Sequence, residues 1–289
     1  MDVKLKMSEL NSLSAEDLKI IKKLEENLGK DFPIVNEIRW NTRGIKISNG
    51  FVIGLGLYNC DLTYLPEIVI ELKSLKVLGL FGNKLKTLPS SIENLDTLQF
   101  IELSANEINE FPETFGNLKS LQELILRNNL IESLSNSFCS LNSLQKVNLW
   151  HNLLIEIPNS IENLTSLRFL NLWENYINNL PESFSNLKSI EILLLASNRL
   201  TSIPESIGNL KNLIEFNLSW NYLITLPDSI GDLTSLQKLS IEYNRIKSIP
   251  ESLIDLPNLK YINISGNDLD ENSLKILKKL EDKGVEVRN

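Results

Sequence analysis

The sequence of 289 residues contains a single histidine, His151, and only two cysteines, Cys60 and Cys139. Nucleophilic catalysis requires a nucleophile and a general base within hydrogen-bonding reach of each other. A metal site requires several histidine, cysteine or carboxylate ligands that converge on one point. One histidine and two isolated thiols supply neither arrangement. The sequence therefore predicts that the protein is not an enzyme and holds no metal or cofactor.

Long apolar runs and an excess of basic residues are also missing. No apolar stretch approaches the roughly 18 residues that indicate a transmembrane helix. The first residues, MDVKLKMSELNSLSAEDL, have no apolar core of the kind found in a secretory signal. Acidic residues outnumber basic ones by 37 to 29, for a net charge of −8. Because an acidic surface repels phosphate groups, neither nucleic acid nor membranes are expected as partners.

What the sequence does contain is a motif that returns every 23 residues, with LRFLNLWENYINNLPESFSNLKS at 167–189 as a clear copy. A fixed period of about 20 to 50 residues marks a solenoid of stacked structural repeats. One position of the motif is an asparagine in every copy but the first, which has cysteine. Its side-chain amide can bond backbone groups of adjacent repeats that would otherwise be buried unpaired. These structural ladder positions are Cys60, Asn83, Asn106, Asn129, Asn152, Asn175, Asn198, Asn221, Asn244 and Asn267.

The motif resembles the leucine-rich repeat, L-x-x-L-x-L-x-x-N-x-L, followed here by x-x-L-P-x-x-I-x-x-L-x-x. Its 23-residue form is similar to the class found in intracellular proteins of the Ras-group type. The resemblance implies an α/β fold, a leucine-rich-repeat solenoid or horseshoe with parallel strands on its concave face and short helical or 3-10 segments on its convex face. It also implies a small GTPase or another signalling protein as a candidate partner.

Residues 1–51 are predicted to form an N-terminal cap. Ser14 has the features of a helix N-cap, and the dipeptide Asn49-Gly50 predicts a tight hairpin whose second strand begins the repeats. The stretch 31–40 is ambiguous and is interpreted as a short second helix. The cap is expected because an uncapped first repeat would expose its apolar face and its strand edge.

Residues 52–269 are predicted to form the repeat array, with ten strands. Residues 270–289 replace the Leu-Pro segment of the motif with an amphipathic helix, in which Leu274, Leu277 and Leu280 are expected to face inward. A short closing strand follows the helix. The sequence therefore predicts a C-terminal cap after the last repeat.

The register of the repeats separates the two cysteines. Cys60 and Cys139 lie three repeats apart, or ~14 Å at the usual spacing of neighbouring strands. A disulfide requires Cα atoms within about 7 Å of each other. Because the two thiols cannot pair, the sequence predicts a reducing compartment and a cytoplasmic location.

Large apolar side chains occur on the concave face, where the motif does not require them. In each strand the two leucines point into the core and the side chains between them point to the opposite face. A contiguous exposed apolar patch usually marks an interaction site, and tryptophan, tyrosine and arginine are enriched in binding hot spots. The residues predicted to bind a partner are Phe81, Phe100, Ile125, Arg127, Trp150, His151, Phe169, Trp173, Ile192, Leu194, Trp220 and Tyr243.

The favoured interpretation is a protein-interaction module or scaffold that acts in signalling and binds a protein partner through this patch. Trp150 and Trp173 occupy the same column in adjacent repeats and are expected to lie side by side. Three alternatives remain open. The tryptophan pair recognises a small ligand or glycan, the monomer self-associates weakly through this face, or the side chains pack on one another and recognise nothing.

Two further features are not expected to be catalytic or to bind a cofactor. His151 is interpreted as an interface residue or as the ion-pair partner of Glu174, which follows it by one repeat in the same column. Gly54 and Gly56, in the sequence IGLGLYN, lack the third glycine and the helix start of a dinucleotide-binding loop. They are interpreted as a flat patch on the concave face of the first repeat.

Overall fold

The computed structural model describes residues 13–289. Residues 1–12, which belong to the predicted N-terminal cap and to the stretch inspected for a secretory signal, lie outside the described residues. The chain divides into two compact units, Met1–Leu130 and Ile131–Asn289.

The first unit begins with helix α1, Ala15–Leu28, and an antiparallel hairpin of β1, Arg43–Ser48, and β2, Phe51–Leu57. Strands β3, β4 and β5 follow, each parallel to the strand before it. A 3-10 helix lies between consecutive strands from β2 onwards. Strands β3 to β5 are Val77–Gly79, Phe100–Glu102 and Glu123–Ile125, and the 3-10 helices are Glu67–Glu71, Ser90–Asn94 and Glu113–Asn117.

The second unit repeats this plan from β6 to β11, all parallel and in chain order. Helix α2, Glu271–Asp282, follows β11, and β12, Glu286–Arg288, pairs with β11 in parallel. Strands β6 to β11 are Lys146–Asn148, Phe169–Asn171, Ile192–Leu194, Glu215–Asn217, Lys238–Ser240 and Tyr261–Asn263. The 3-10 helices are Phe138–Ser140, Asn159–Asn163, Glu182–Asn186, Glu205–Asn209, Asp228–Asp232 and Glu251–Asp255.

The core of each unit is a column of aliphatic side chains that repeat with the period of the motif. These residues are fully buried: Leu57, Leu80, Leu103, Leu126, Leu149, Leu172, Leu195, Leu218, Ile241 and Ile264. Side chains alternate along a strand, so the intervening residues lie on the opposite face of the sheet, which we call the open face. The predicted leucine-rich-repeat solenoid is confirmed.

The ladder asparagines satisfy backbone groups that the core buries. The amide oxygen of Asn175 accepts from the backbone N–H of Leu154 at 3.0 Å, and its nitrogen donates to the carbonyls of Leu149 and Leu172, both at 3.0 Å. At Cys60 the thiol instead donates to the carbonyl of Tyr58 at 3.6 Å. The equivalent three bonds recur at Asn83, Asn106, Asn129, Asn198, Asn221, Asn244 and Asn267.

The N-terminal helix and hairpin form as predicted and are joined by a buried carboxylate. The hydroxyl of Ser14 caps α1 by accepting from the N–H of Asp17 at 3.0 Å. The carboxylate of Asp17 in turn accepts from the N–H of Val52 at 2.7 Å. Asn49 and Gly50 both have positive φ, 51° and 79°, as a tight hairpin turn of this type requires.

The predicted second helix at 31–40 is wrong. This stretch is irregular and contains no helix, and Ile34 forms a parallel bridge with Ile45. The N–H of Val35 donates to the carbonyl of Ile45 at 2.8 Å, and the N–H of Ile45 donates to that of Pro33 at 2.9 Å. Pairing with β1 therefore satisfies these backbone groups. A short helix would leave more of them unpaired, because its first turn has few internal hydrogen bonds and proline has no N–H to donate.

The C-terminal cap has the predicted helix and closing strand but a different buried face. Leu274 is 45% exposed, whereas Ile276, Leu277 and Leu280 are buried. The buried stripe also contains Ser273. The buried residues follow the i, i+3, i+4, i+7 spacing of one helix face. The predicted set, with Leu274, repeats every three residues and therefore drifts away from that face.

Candidate functional site

The residue before each ladder asparagine has a backbone conformation that side chains rarely adopt. In the second unit His151, Glu174, Ser197, Trp220 and Tyr243 all have φ between 53° and 56°. Positive φ is uncommon outside glycine, and for a bulky residue it is an outlier. This turn places their side chains just after the carboxyl ends of the parallel strands. We call that edge of the second unit the carboxyl edge.

In the first unit, Phe81 packs against the N-terminal cap. Its ring centroid lies 5.1 Å from that of Trp40 and 5.9 Å from that of Tyr58, and Trp40 and Tyr58 are 6.1 Å apart. Phe81 is half-buried in this cluster. It therefore holds the cap in place and offers a partner less surface than predicted.

The interpretation of Gly54 and Gly56 as a flat exposed patch is wrong, because the cap segment crosses them. A Cβ atom on Gly56 would lie 2.4 Å from the carbonyl oxygen of Thr42. One on Gly54 would lie 2.8 Å from a side-chain carbon of Ile38. These glycines allow close approach of another backbone segment to the strands. The open face of the first repeat is therefore occupied by the protein's own chain.

The other predicted residues of the first unit offer little surface. Phe100 and Arg127 are half-buried, and Arg127 Nε is buried with no hydrogen-bond partner in the described part of the chain. Ile125 is only 7% exposed, contrary to the prediction. It lies in the central column of the open face, where Glu102 is buried as well.

The second unit brings the two predicted tryptophans together. The rings of Trp150 and Trp173 lie 6.2 Å apart with 39° between their planes, so the expected side-by-side arrangement is confirmed. Trp173 is 39% exposed and Trp150 is half-buried. The indole N–H of Trp173 donates to the hydroxyl of Ser197 at 3.1 Å. Trp173 is therefore the more accessible ring and is held in place by a hydrogen bond.

The remaining predicted open-face residues of this unit surround the tryptophans with partly exposed apolar surface. Phe169, Ile192 and Leu194 are all half-buried. The ammonium group of Lys146 lies 5.9 Å from the centroid of the Phe169 ring, within the range of a cation–π contact. The open face of the second unit thus combines aromatic and aliphatic side chains.

The single histidine lies at the carboxyl edge and forms the expected pair. His151 Nδ1 is 2.9 Å from a carboxylate oxygen of Glu174, and the imidazole is largely exposed. Among residues 13–289, no three histidine, cysteine or acidic side chains are grouped closely enough to hold a metal ion.

The carboxyl edge carries the most exposed aromatic residues of the predicted site. Trp220 and Tyr243 are 55% and 50% exposed, and their rings stack at 4.1 Å with 27° between the planes. The Tyr243 ring also covers Gly266, where a Cβ atom would lie 2.7 Å from a ring carbon. Trp220 and Tyr243 therefore form an aromatic stack that is exposed to solvent.

Two arginine–tyrosine pairs at this edge were missed by the sequence prediction. The guanidinium carbon of Arg199 lies 4.5 Å from the ring centroid of Tyr176, and that of Arg245 lies 4.6 Å from the ring of Tyr222. The signal was available, since tyrosine and arginine alternate at the position directly after four consecutive ladder asparagines. Residues at that position form one column along the edge.

The two cysteines are free and buried. Burial raises the pKa of the Cys60 thiol, against the opposing effect of nearby Lys30. Burial likewise raises the pKa of the Cys139 thiol. Because only the thiolate is a strong nucleophile, both residues are expected to be unreactive near neutral pH.

Comparison with known proteins gives one family and several similar folds. The sequence model of a family described as a leucine-rich repeat region matches residues 91–168 and 158–283. No curated protein matches the sequence of the chain. No helix among residues 13–289 has the length and the apolar character that crossing a bilayer requires.

Three solved structures illustrate the similarity. A leucine-rich repeat protein of Leptospira interrogans is 24% identical, with 81% of this chain and 83% of that one covered and a TM-score of 0.55. The plant peptide hormone receptor RGFR1, in complex with RGF2, is 33% identical over 75% of this chain and 36% of the receptor, with a TM-score of 0.66. An internalin from Listeria monocytogenes is 21% identical over 82% of this chain and 66% of that one, with a TM-score of 0.68. The chain thus spans about a third of the receptor's length.

Proposed function

Because the chain belongs to the leucine-rich repeat family, we propose that it is a protein-interaction module that binds a partner protein through the open face of its second unit. Trp150, Phe169 and Trp173 carry the contact. The observation behind this proposal is that Trp173 is 39% exposed at a position where the repeat requires no aromatic side chain. A surface that is ordered before contact loses little conformational entropy on binding.

The nature of the partner is part of the proposal. Leucine-rich repeat proteins are typically binding scaffolds, and the similar plant receptor is described in complex with RGF2, which supports a protein or peptide as the ligand. The Ras-group resemblance supports a small GTPase or another signalling protein. The free, buried thiols of Cys60 and Cys139 support a cytoplasmic location.

The proposal is tested with the variant Trp150→Ala/Trp173→Ala and with Tyr64→Ala as a matched control. Tyr64 is 72% exposed and lies in the first unit. Partners captured by the purified chain are identified by mass spectrometry, and the strongest is then purified and titrated against each variant by calorimetry. The double variant is expected to lose this binding and the control to keep it. Because Trp150 is half-buried and Trp173 is 39% exposed, each replacement should cost the fold less than the roughly 3–5 kcal/mol of a fully buried tryptophan.

Other results would contradict the proposal. Full affinity in the double variant would place the interaction elsewhere. A dimer of the wild-type chain that the double variant no longer forms would assign the face to self-association. Binding of a glycan on an array, lost in the same variant, would favour sugar recognition by the tryptophans.

A further inference from the structure

The two arginines at the carboxyl edge differ from those at the opposite edge of the sheet. Arg168, just before β7, donates from Nε to the carboxylate of Glu191 at 2.9 Å. Arg199 and Arg245 have no carboxylate or other hydrogen-bond acceptor within bonding distance among residues 13–289. Asp268 follows Arg245 in the same column but forms no ion pair with it. In a protein with a net charge of −8, these two arginines thus lack an ion-pair contact within residues 13–289.

The tyrosine rings hold these positive groups in defined positions. A guanidinium group over an aromatic face gains a cation–π attraction and loses part of its rotational freedom. With centroid distances of 4.5 and 4.6 Å, Arg199 on Tyr176 and Arg245 on Tyr222 have the same geometry two repeats apart. A guanidinium group that stacks on a ring keeps its N–H groups free to donate in its own plane. Both arginines are therefore prepared to receive carboxylates.

The spacing of the arginines sets the spacing of the groups they can bind. Two repeats correspond to roughly 10 Å at about 4.8 Å for each strand step. In a polyproline-type peptide, which has three residues per turn, residues three positions apart lie on the same side and about 9 Å from each other. Two acidic side chains three residues apart would therefore match Arg199 and Arg245.

The surface beside the arginines is apolar and exposed. Trp220 and Tyr243 stack on each other, and Ile224 is 62% exposed. Aromatic surfaces of this kind receive extended peptides, in which proline and aliphatic side chains pack on the rings. The carboxyl edge thus offers positive groups and aromatic surface in parallel.

We propose that the carboxyl edge of the second unit binds an extended acidic peptide segment of the partner protein, with two carboxylates three residues apart on Arg199 and Arg245. The intervening residues of the peptide pack on Tyr222 and on the Trp220–Tyr243 stack. This assignment rests on the proposed function, since it names a segment of the same partner. It uses an edge of the sheet that is separate from the open face.

The test is fluorescence polarisation of a labelled peptide whose core is Glu-Pro-Pro-Glu, titrated with the full chain to millimolar concentration. Prolines keep the peptide extended at about 3.1 Å per residue, which places its carboxylates about 9 Å apart along the axis. The control peptides are Gln-Pro-Pro-Gln, which lacks the charges, and Glu-Glu-Pro-Pro, which has the same composition with adjacent charges. Saturable binding is expected for the first peptide and clearly weaker binding for both controls.

The matching protein variants are Arg199→Gln/Arg245→Gln and, as a control, Arg168→Gln. Each exposed ion pair changes affinity by a factor of about 1.5 to 5, so the double variant should bind the peptide about two- to twenty-fivefold more weakly. The control should bind it normally. Absence of binding by the wild-type chain, equal binding of Glu-Glu-Pro-Pro, or unchanged binding by the double variant would each overturn the assignment.

The open-face variant separates this inference from the proposed function. Trp150→Ala/Trp173→Ala is expected to bind Glu-Pro-Pro-Glu like the wild-type chain, because the peptide occupies the edge. If that variant keeps full affinity for the intact partner while the arginine variant loses it, the open-face proposal fails and the edge assignment stands. If the arginine variant binds both peptide and partner normally, only the edge assignment fails.

Discussion

The two caps of the protein close the repeats in different ways. The N-terminal cap reaches over the open face of the first unit, where Ile38 contacts Gly54 and Trp40 contacts Phe81. The C-terminal cap packs on the side of the 3-10 helices: the hydroxyl of Ser273 accepts from the N–H of Ile249 at 3.1 Å. There, Lys279 also pairs with Glu251 at 3.0 Å, and Lys283 Nζ donates to the carbonyl of Ile254 at 2.6 Å.

This difference gives equivalent aromatic residues opposite roles. Phe81 and Trp173 occupy the same position of the repeat. Phe81 is packed by the cap, whereas Trp173 is 39% exposed. An aromatic residue on the open face therefore indicates a binding site only where the protein's own chain does not cover it.

Replacement of Gly56 by valine should destabilise the part of the fold where the N-terminal cap covers the open face. The new side chain would meet the carbonyl of Thr42, where even a Cβ atom would lie at 2.4 Å. Overpacking against backbone typically costs about 1–3 kcal/mol, and a contact this short should reach the upper end. Urea denaturation should show the loss. The control is Leu194→Val, in the same column of the second unit, for which a cost below about 1 kcal/mol is expected. Equal costs at the two sites would show that the cap does not constrain Gly56.

Replacement of Asp17 by alanine should loosen the N-terminal cap from the hairpin. The N–H of Val52 would lose a charged acceptor at 2.7 Å in a buried setting, at a cost of about 2 kcal/mol. Hydrogen exchange of the hairpin amides should accelerate. The exposed neighbour Glu16 serves as the control, and Glu16→Ala should leave that exchange rate unchanged. Unaltered exchange in Asp17→Ala would mean that the cap is held by its apolar contacts alone.

Replacement of Trp40 by alanine should uncover Phe81 at a moderate cost. The lost contacts with Tyr58 and Phe81 are edge-on aromatic pairs, which contribute about 0.5–1.5 kcal/mol each. Because Phe81 would then resemble Trp173 in exposure, the variant should bind a hydrophobic dye more strongly than the wild-type chain does. No change in dye binding or stability would contradict the covering role of Trp40.

At the C-terminal cap, the stability of α2 should decrease slightly at low pH. Hydrogen bonds from the side chain and backbone of Ser273 hold the pKa of Asp270 below its usual value. A carboxyl with a depressed pKa in the folded state stabilises that state above its unfolded pKa, and this contribution is lost as the pH falls through the folded pKa. The protection of the Ser273 amide, measured relative to the intrinsic exchange rate at each pH, should therefore fall in acid. Asp270→Asn should remove this pH dependence, and a persistent dependence would assign it to another group.

The regular parts of the fold could be predicted because they repeat. Asn175 makes the same three hydrogen bonds as its counterparts, and Leu172 has a buried aliphatic counterpart in the other repeats. The period, the capping serine of α1 and the Asn49-Gly50 turn each reflect interactions between residues that are close in sequence or in register. Such interactions produce a pattern that can be recognised in the sequence.

The predictions that proved wrong concern contacts that do not recur from repeat to repeat. The segment at 31–40 pairs with β1, so its conformation depends on a partner that local sequence does not reveal. Ile125 is buried, whereas Leu194 in the same column is half-buried, so its burial does not follow from the repeat. The cation–π pairs of Arg199 and Arg245 depend on which way long side chains turn, although their alternation with tyrosine was visible.

The sequence alone was enough to predict the register of the repeats, the inward column of aliphatic residues and the asparagine ladder, because burial and backbone pairing require the same residue at every turn. The tertiary structure was needed to show which open-face residues of the first repeats are covered, because that depends on where the chain from Ile38 to Thr42 lies. It also decided which arginines are left without a carboxylate, because the distance between side chains in different repeats is set by packing.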